Sequence, residues 1–313
     1  MIEIATVTLN PSIDRTVRVD GLWPGGLHRV RESRTDAAGK GVNVARACTR
    51  LGEPAVALGI LAGDAGRSLA DLLRRDAVYG EFVWVEGETR TNLKLLEATG
   101  RTTQVNEVGP RVTVAALRHL EQKLAEWLPR LKVVVISGSL PPGAPPSFYG
   151  DLVRQCREAE VFVVLDADGD ALRAGLAEGP DLVKPNREEA ERLLGRGIGS
   201  GPDAVTVAQA IRESGAARVV VSLGDGGCAF SGPDGDGWAG ALRVPGIEGT
   251  TGAGDTLVAG LVAGWLRGLP LMEAVRLGVA AASSSITHPG PARPDPHEAE
   301  AWAAEVQLHT LRV

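Results

Sequence analysis

One short run constrains the fold more than any other: Lys132-Val133-Val134-Val135-Ile136. A strand sends alternate side chains to opposite faces, so an unbroken Val/Ile run must be covered on both. Sheets covered on both faces are mostly parallel, and parallel strands need crossover connections. The rest of the chain keeps that rhythm. β-rich runs at 2–9, 55–61, 81–85, 161–166, 181–184 and 218–223 alternate with helical patterns at 67–76, 114–128, 146–157, 171–176 and 205–214. This predicts an α/β fold with a mainly parallel sheet. Two short strands at 16–19 and 28–34 and a hairpin over 89–97 and 102–106 have one polar face. They are too poor in apolar residues for a central sheet and predict a small β-lid. Further strands are expected at 228–231 and near 238–244, and helices at 256–267, 272–286 and 295–305.

In open α/β sheets, ligands bind beyond the C-terminal ends of the strands. Asp14 follows the first strand across Asn10-Pro11-Ser12. Ser137-Gly138-Ser139-Leu140-Pro141-Pro142-Gly143 follows the apolar strand. Gly39-Lys40-Gly41-Val42-Asn43 is a glycine turn opening a helix, without dinucleotide or Walker spacing. Asn43 is a poor helix former unless its amide is used, so Gly39 and Asn43 read as ligand contacts. Arg90, opening the hairpin, suits a phosphate. Lysine is scarce beside arginine, which draws attention to Lys40 and Lys184 in marked loops. In Lys184-Pro185-Asn186-Arg187-Glu188-Glu189, Asn186 and Glu189 stand at capping-box spacing. The same residues also suit nucleotide phosphates at Lys184 and a hydrated Mg²⁺ at Asn186 and Glu189.

Thr250-Thr251-Gly252-Ala253-Gly254-Asp255-Thr256 opens a long helix of small residues. Unpaired N–H groups at a helix start carry partial positive charge. Gly252, Ala253 and Gly254 can aim several at one anion, such as a phosphoryl group. A carboxylate there repels a phosphate unless it takes a proton from the attacking group. Asp255 therefore reads either as a plain helix-start residue or as a general base beside an anion hole. The small run 280–285 suggests a helix bordering a flat ligand.

Composition narrows the partners. The 313 residues are 44% hydrophobic and 23% charged, enough for a full core. A net charge of −6 argues against a general nucleic-acid binder. Three separated cysteines without CxxC read as core thiols in a reducing compartment. With neither a leader pattern nor an apolar stretch of about 18 residues, the expectation is a cytoplasmic chain with no membrane span. No linker or repeat divides it, so residues 1–313 read as one domain, with lid segments inserted at about 13–35 and 88–107.

Together, Gly39 to Ala45, Ser137 to Gly143, Lys184 to Glu189 and Gly252 to Thr256 resemble the signatures of the ribokinase-like PfkB carbohydrate kinases. Thr8-Leu9-Asn10-Pro11-Ser12-Ile13-Asp14 is similar to the phosphosugar subgroup: 1-phosphofructokinase, tagatose-6-phosphate kinase and the minor 6-phosphofructokinase. The resemblance implies a three-layer α/β/α sandwich with an eight- or nine-stranded sheet and a β-lid that pairs in a homodimer. It implies ATP and Mg²⁺, and phosphorylation of a ketohexose phosphate, foremost fructose 1-phosphate. Asp255 would be the base, with Gly252, Ala253 and Gly254 around the phosphoryl group. Asp14, Gly39, Lys40 and Asn43 would bind the sugar. Arg29, Arg90 and Ser139 would bind its phosphate. Lys184, Asn186 and Glu189 would serve the triphosphate and metal, Asn186 and Glu189 through water. Ser222, Gly224, Gly227, Thr251 and Ser283 would line the nucleotide. Gly249 stands where ribokinases carry an Asp for a monovalent cation, and near Gln104 one relative has an Arg for the phosphate that this chain lacks, leaving Arg101 or Lys94 to compensate. A regulator that binds sugar phosphates without catalysis is the alternative of another class, and intact Asp255, Gly252, Gly254 and Glu189 speak against it.

Overall fold

The computed structural model describes residues 1–199 and 201–311. The chain begins with β1 (Ile4–Thr8), β2 (Ser12–Val19), β3 (Glu32–Ala38) and α1 (Lys40–Arg50). Next come β4 (Ala55–Ala62), α2 (Gly63–Arg75), β5 (Tyr79–Val85), β6 (Arg90–Glu97) and β7 (Thr102–Asn106). The middle runs α3 (Val114–Trp127), β8 (Val133–Ser137), α4 (Phe148–Glu158), β9 (Phe162–Asp166), α5 (Gly169–Ala177), β10 (Leu182–Val183) and α6 (Arg187–Leu194). It closes with α7 (Pro202–Glu213), β11 (Val219–Ser222), β12 (Cys228–Gly232), β13 (Gly235–Ala239), α8 (Ala253–Leu266), α9 (Leu271–Ser285), α10 (Pro296–Ala303) and β14 (Leu308–Thr310).

The central sheet has ten strands in the order β14-β13-β12-β11-β10-β9-β8-β1-β4-β5. From β11 to β5 every pair is parallel; β12, β13 and β14 add antiparallel. As the apolar run requires, β8 is covered on both faces. Val134 and Ile136 join the layer of α3, α4, α5 and α7, while Val133 and Val135 join that of α1, α2, α8 and α9. Full burial of each such side chain is worth roughly 1.5–3 kcal/mol, which fixes this strand at the centre.

Two expectations change. The sheet is wider than eight or nine strands because β14 pairs with β13, a three-residue strand with no periodicity to announce it. Gly237 admits it: a Cβ there would stand 2.4 Å from the His309 carbonyl oxygen. The small run 280–285 faces protein rather than a flat ligand over part of its length. Ala280 and Ala281 are in the core, and Ser284 donates to Glu298 of α10 at 2.6 Å.

A second sheet, β3-β2-β6-β7, is the lid. β3 begins later than the expected 28–34 and runs on to Ala38, because buried Ala37 and Ala38 pair with Ile13 and Ser12. β2 and β6 pair in parallel from Ser12↔Arg90 to Val19↔Glu97. Among the described residues no helix is long and apolar enough to cross a membrane.

Candidate active site

Sheet order decides which side chains meet. β10, β9, β8 and β1 are parallel neighbours, so their C-terminal ends share one edge. Lys184, Asp166, Ser139 and Asn10 emerge there in that order. Two helices start over the same edge. The first turns of α1 and α8 touch: Asn43 Nδ2 donates to Asp255 Oδ2 at 2.8 Å. Gly39 caps α1 at φ 117°, where a Cβ would strike Pro11, and Gly252 caps α8 at φ 81°, packed on Ala292.

At the start of α8, Ala253 N–H turns to the Thr250 carbonyl at 3.3 Å, and Thr256 N–H bonds Gly252. The amides of Gly252, Gly254 and Asp255 have no hydrogen-bond partner among the described residues. Free donors thus come from Gly252, Gly254 and Asp255 rather than from Ala253. Lys184 Nζ lies beside Gly254, 3.7 Å from where a Cβ would stand. Asp255 is 9% exposed. Burial, reinforced by the negative charge of Asp166, pushes its carboxyl up to about 6 against the pull of the Asn43 hydrogen bond and the two nearby lysines.

Asp166 ties the two lysines together. Lys40 Nζ donates to Asp166 Oδ1 at 2.8 Å, and Lys184 Nζ stands 3.2 Å from Oδ2. Burial alone would raise the Asp166 carboxyl, but Lys184 and Lys40 hold it below the usual range. Lys40 also donates to Glu189 Oε1 at 2.8 Å. Burial favours its neutral amine, yet Asp166 and Glu189 outweigh that and raise its pKa. Lys40 was expected with the sugar-binding group; two carboxylates draw it instead to the Lys184 side. Asp166 was passed over in the sequence, although an acid ending a buried strand is the same signal that picked out Asp14.

The capping box at α6 is complete: Asn186 Oδ1 accepts from Glu189 N–H, and Glu189 Oε2 accepts from Asn186 N–H. The cap takes one of the two acceptor sites of the Asn186 amide oxygen. Ser222 adjoins this turn, bridged to Asn186.

On the lid, alternate residues of β6 face the same edge. Arg90 Nε donates to the Asn10 carbonyl at 3.1 Å, and Asn10 Nδ2 reaches Ser139 Oγ at 3.4 Å. Asn92 donates to Ser12 Oγ and to Asp14 Oδ1 at 3.0 and 2.9 Å. Lys94 Nζ lies 3.4 Å from Asp14 Oδ2 and donates to Thr251 Oγ1 at 2.8 Å. Asn92 had no sequence signal beyond its place in the hairpin.

Other expected residues stand apart. Arg29 is exposed on the segment between β2 and β3 and makes none of these contacts. Gly224 is exposed in the turn after β11. Gly227 has a packing reason of its own, since a Cβ would meet the Ala239 carbonyl oxygen at 2.0 Å. Ser283 is buried on α9, joined to the cluster by no hydrogen bond.

Two helix starts, two lysines and a buried carboxylate around one sheet edge are the equipment of an enzyme that transfers an anionic group. The chain belongs to the pfkB family of carbohydrate kinases, whose family model matches residues 5–298. It is a sugar kinase, a phosphotransferase. It is 33% identical over 305 residues to a 1-phosphofructokinase of Escherichia coli strain K12, covering 97% of each chain. It is 40% identical over 272 residues to one of Xanthomonas campestris pv. campestris, covering 85% of each. Phosphofructokinase-2 of Escherichia coli, solved in complex with potassium, superposes with a TM-score of 0.89 at 32% identity, covering 97% of this chain and 99% of that one.

Proposed function

We propose that this kinase phosphorylates a ketohexose phosphate with ATP, foremost fructose 1-phosphate to fructose 1,6-bisphosphate, and that Asp255 is the general base. The observation that carries this reading is Asp255 itself: a carboxyl pushed up to about 6, held by Asn43 beside the donors of α8. It is ionised at neutral pH yet basic enough to accept a proton. Asp14, Gly39 and Asn43 hold the sugar hydroxyls, Asp14 being fixed by Ser12 and Asn92. Arg90 and Ser139, with Arg29 brought in from the rim, bind the phosphate the sugar already carries.

The acceptor hydroxyl gives its proton to Asp255 while its oxygen bonds to the γ-phosphorus of ATP, and the bond to the leaving ADP oxygen breaks. The free amides of Gly252, Gly254 and Asp255, Lys184 and the positive end of α8 offset the charge on the moving phosphoryl group. Lid closure excludes water that would otherwise hydrolyse ATP. Lys184, Ser222, Gly224, Gly227, Thr251 and Ser283 line the nucleotide.

The donor set fits Mg²⁺. Among the described residues no three His, Cys, Asp or Glu side chains form a cage, as suits an ion held mainly by water and phosphate. Buried Asp166 Oδ2 is faced by Lys184 Nζ at 3.2 Å and takes no other donor among the described residues. Glu189 and Asn186, with Asp166 beside them, would hold the ion through water. When bound, the ion neutralises charge on the β- and γ-phosphates.

The neighbouring phosphofructokinase-2 has also been solved with fructose-6-phosphate, at a TM-score of 0.85. That supports fructose 6-phosphate, and tagatose 6-phosphate beside it, as second readings. ATP consumption across fructose 1-phosphate, fructose 6-phosphate, tagatose 6-phosphate and fructose tests them. The highest kcat/KM is expected for fructose 1-phosphate. A preference for unphosphorylated fructose would remove the phosphate-binding role of Arg90, and no consumption with any sugar would favour the non-catalytic regulator.

Residues 1–313 form one kinase domain in this reading, working in the cytoplasm. The lid pairs with a second copy to make a homodimer. The exposed Trp23, Leu27, Val30 and Val105 of the lid segments support such pairing. Light scattering should give about twice the 32.6 kDa chain mass.

A further inference from the structure

We infer that Lys94 is a catalytic residue of the lid, whose ammonium binds the phosphoryl group in transit and so ties transfer to lid closure. The inference rests on the proposed phosphorylation and names a residue it does not yet use.

Arg90, Asn92 and Lys94 alternate along β6, and each reaches the sheet edge in turn. Arg90 bonds the loop after β1, Asn92 grips Asp14, and Lys94 goes furthest, to the start of α8. Among the described hydrogen bonds and ion pairs, Lys94 to Thr251 is the one contact between the lid sheet and segment 250–256. Thr251 directly precedes Gly252, the cap of α8. The ammonium therefore stands one residue from the free amides of the anion hole.

Its present partners leave capacity unused. An ammonium has three N–H donors. One makes a 2.8 Å bond to Thr251 Oγ1, and Asp14 Oδ2 is 3.4 Å away. The side chain is only 13% exposed, so its stem is packed in place, and the remaining donor has no partner among the described residues. A cation held half-satisfied between a sugar-binding carboxylate and a helix start suits an anion that arrives there. The phosphoryl group passing from ATP to the sugar oxygen is that anion. The proton still goes to Asp255 and the P–O bond to ADP still breaks; Lys94 adds a charged donor to a non-bridging oxygen. Because β6 carries it, the donor is supplied only when the lid is down.

The test is steady-state kinetics of Lys94→Met, Lys94→Arg and Thr251→Val in the full-length enzyme, with Asp255→Asn alongside. Lys94→Met should lower kcat by about 10²-fold, the weight of one oxyanion donor, with KM for the sugar phosphate changed less than about threefold. Lys94→Arg should recover at least about a tenth of the kcat. Thr251→Val, which removes the latch bond but keeps the ammonium, should cost at least about tenfold less than Lys94→Met. Should Lys94→Met not fold, the Lys94→Arg and Thr251→Val values decide: a mild Thr251→Val with an active Lys94→Arg supports the inference. Near-wild-type kcat in Lys94→Met overturns it, and so does a Thr251→Val loss equal to that of Lys94→Met, which would make Lys94 a latch only. Asp255→Asn separates the two levels. If it stays active, the proposed mechanism itself fails; if it is inactive while Lys94→Met is active, only the role of Lys94 fails.

Discussion

Asp255 and Asp166 are buried on the same edge of the sheet, yet their surroundings drive them in opposite directions. Asp255 has one neutral donor, Asn43, and a like charge nearby; burial prevails and its carboxyl rises to about 6. Asp166 has an ammonium on each oxygen, and Lys184 and Lys40 overcome a burial penalty of the same kind. The lesson is a division of labour. Where protein cations already neutralise a carboxylate, it can anchor but not accept a proton. Where the cations stand back, it keeps its proton affinity.

The sharpest way to break this comparison is the same substitution at both sites. Asp255→Asn should cut turnover by about 10²–10⁴-fold with sugar and nucleotide binding retained in calorimetry. It should also stabilise the fold above pH 7 by up to about 3 kcal/mol, the equivalent of moving a carboxyl from 3.8 to about 6. Asp166→Asn should instead destabilise by about 3–5 kcal/mol in denaturant melts, because two lysines lose their shared counter-charge. Nucleotide KM should rise with it, since Lys40 and Lys184 lose their common anchor. If both variants move stability in one direction, the division is wrong.

The pH dependence of stability sharpens it further. The folded state binds a proton at Asp255 more tightly than the unfolded chain, so this group favours folding below its unfolded value. That contribution disappears as pH rises from about 3.8 to about 6. The lowered carboxyl of Asp166 contributes with the opposite sign: fully above 3.8, and lost only as pH falls through its lower folded value. The difference in unfolding free energy between wild type and Asp255→Asn should therefore widen from pH 4 to pH 6 and level off above. A difference that stays flat over that window would count against a raised Asp255. The smallest pH effect belongs to Asn43→Ala. Its hydrogen bond lowers the Asp255 carboxyl, so removing it should move the acid limb of the kcat profile upward. A limb that moves downward would assign the Asn43 contact the wrong sign.

What could be read in the chain was local. The Val run of β8 required a covered parallel sheet, and the glycine turns at 39–41 and 252–254 marked two helix starts by composition alone. What stayed hidden were pairings set by strand order. Lys40 and Asp166 are 126 positions apart, and Asn43 and Asp255 are 212 apart; the neighbouring of β1, β8 and β9 brings the first pair together, and the packing of α1 on α8 the second. Asn186 and Glu189 show the converse. Their spacing fitted both a helix cap and a metal, and the side chains satisfy the cap completely. β14 was illegible because three residues carry no period.

The most direct test is a carboxyl ¹³C titration of the aspartate-labelled protein, with Asp255→Asn and Asp166→Asn used to assign the two resonances. The account predicts that the Asp255 signal titrates near 6 while that of Asp166 still reads as ionised at pH 4. Two resonances titrating together near the ordinary 3.8, or Asp166 taking up its proton first, would contradict it.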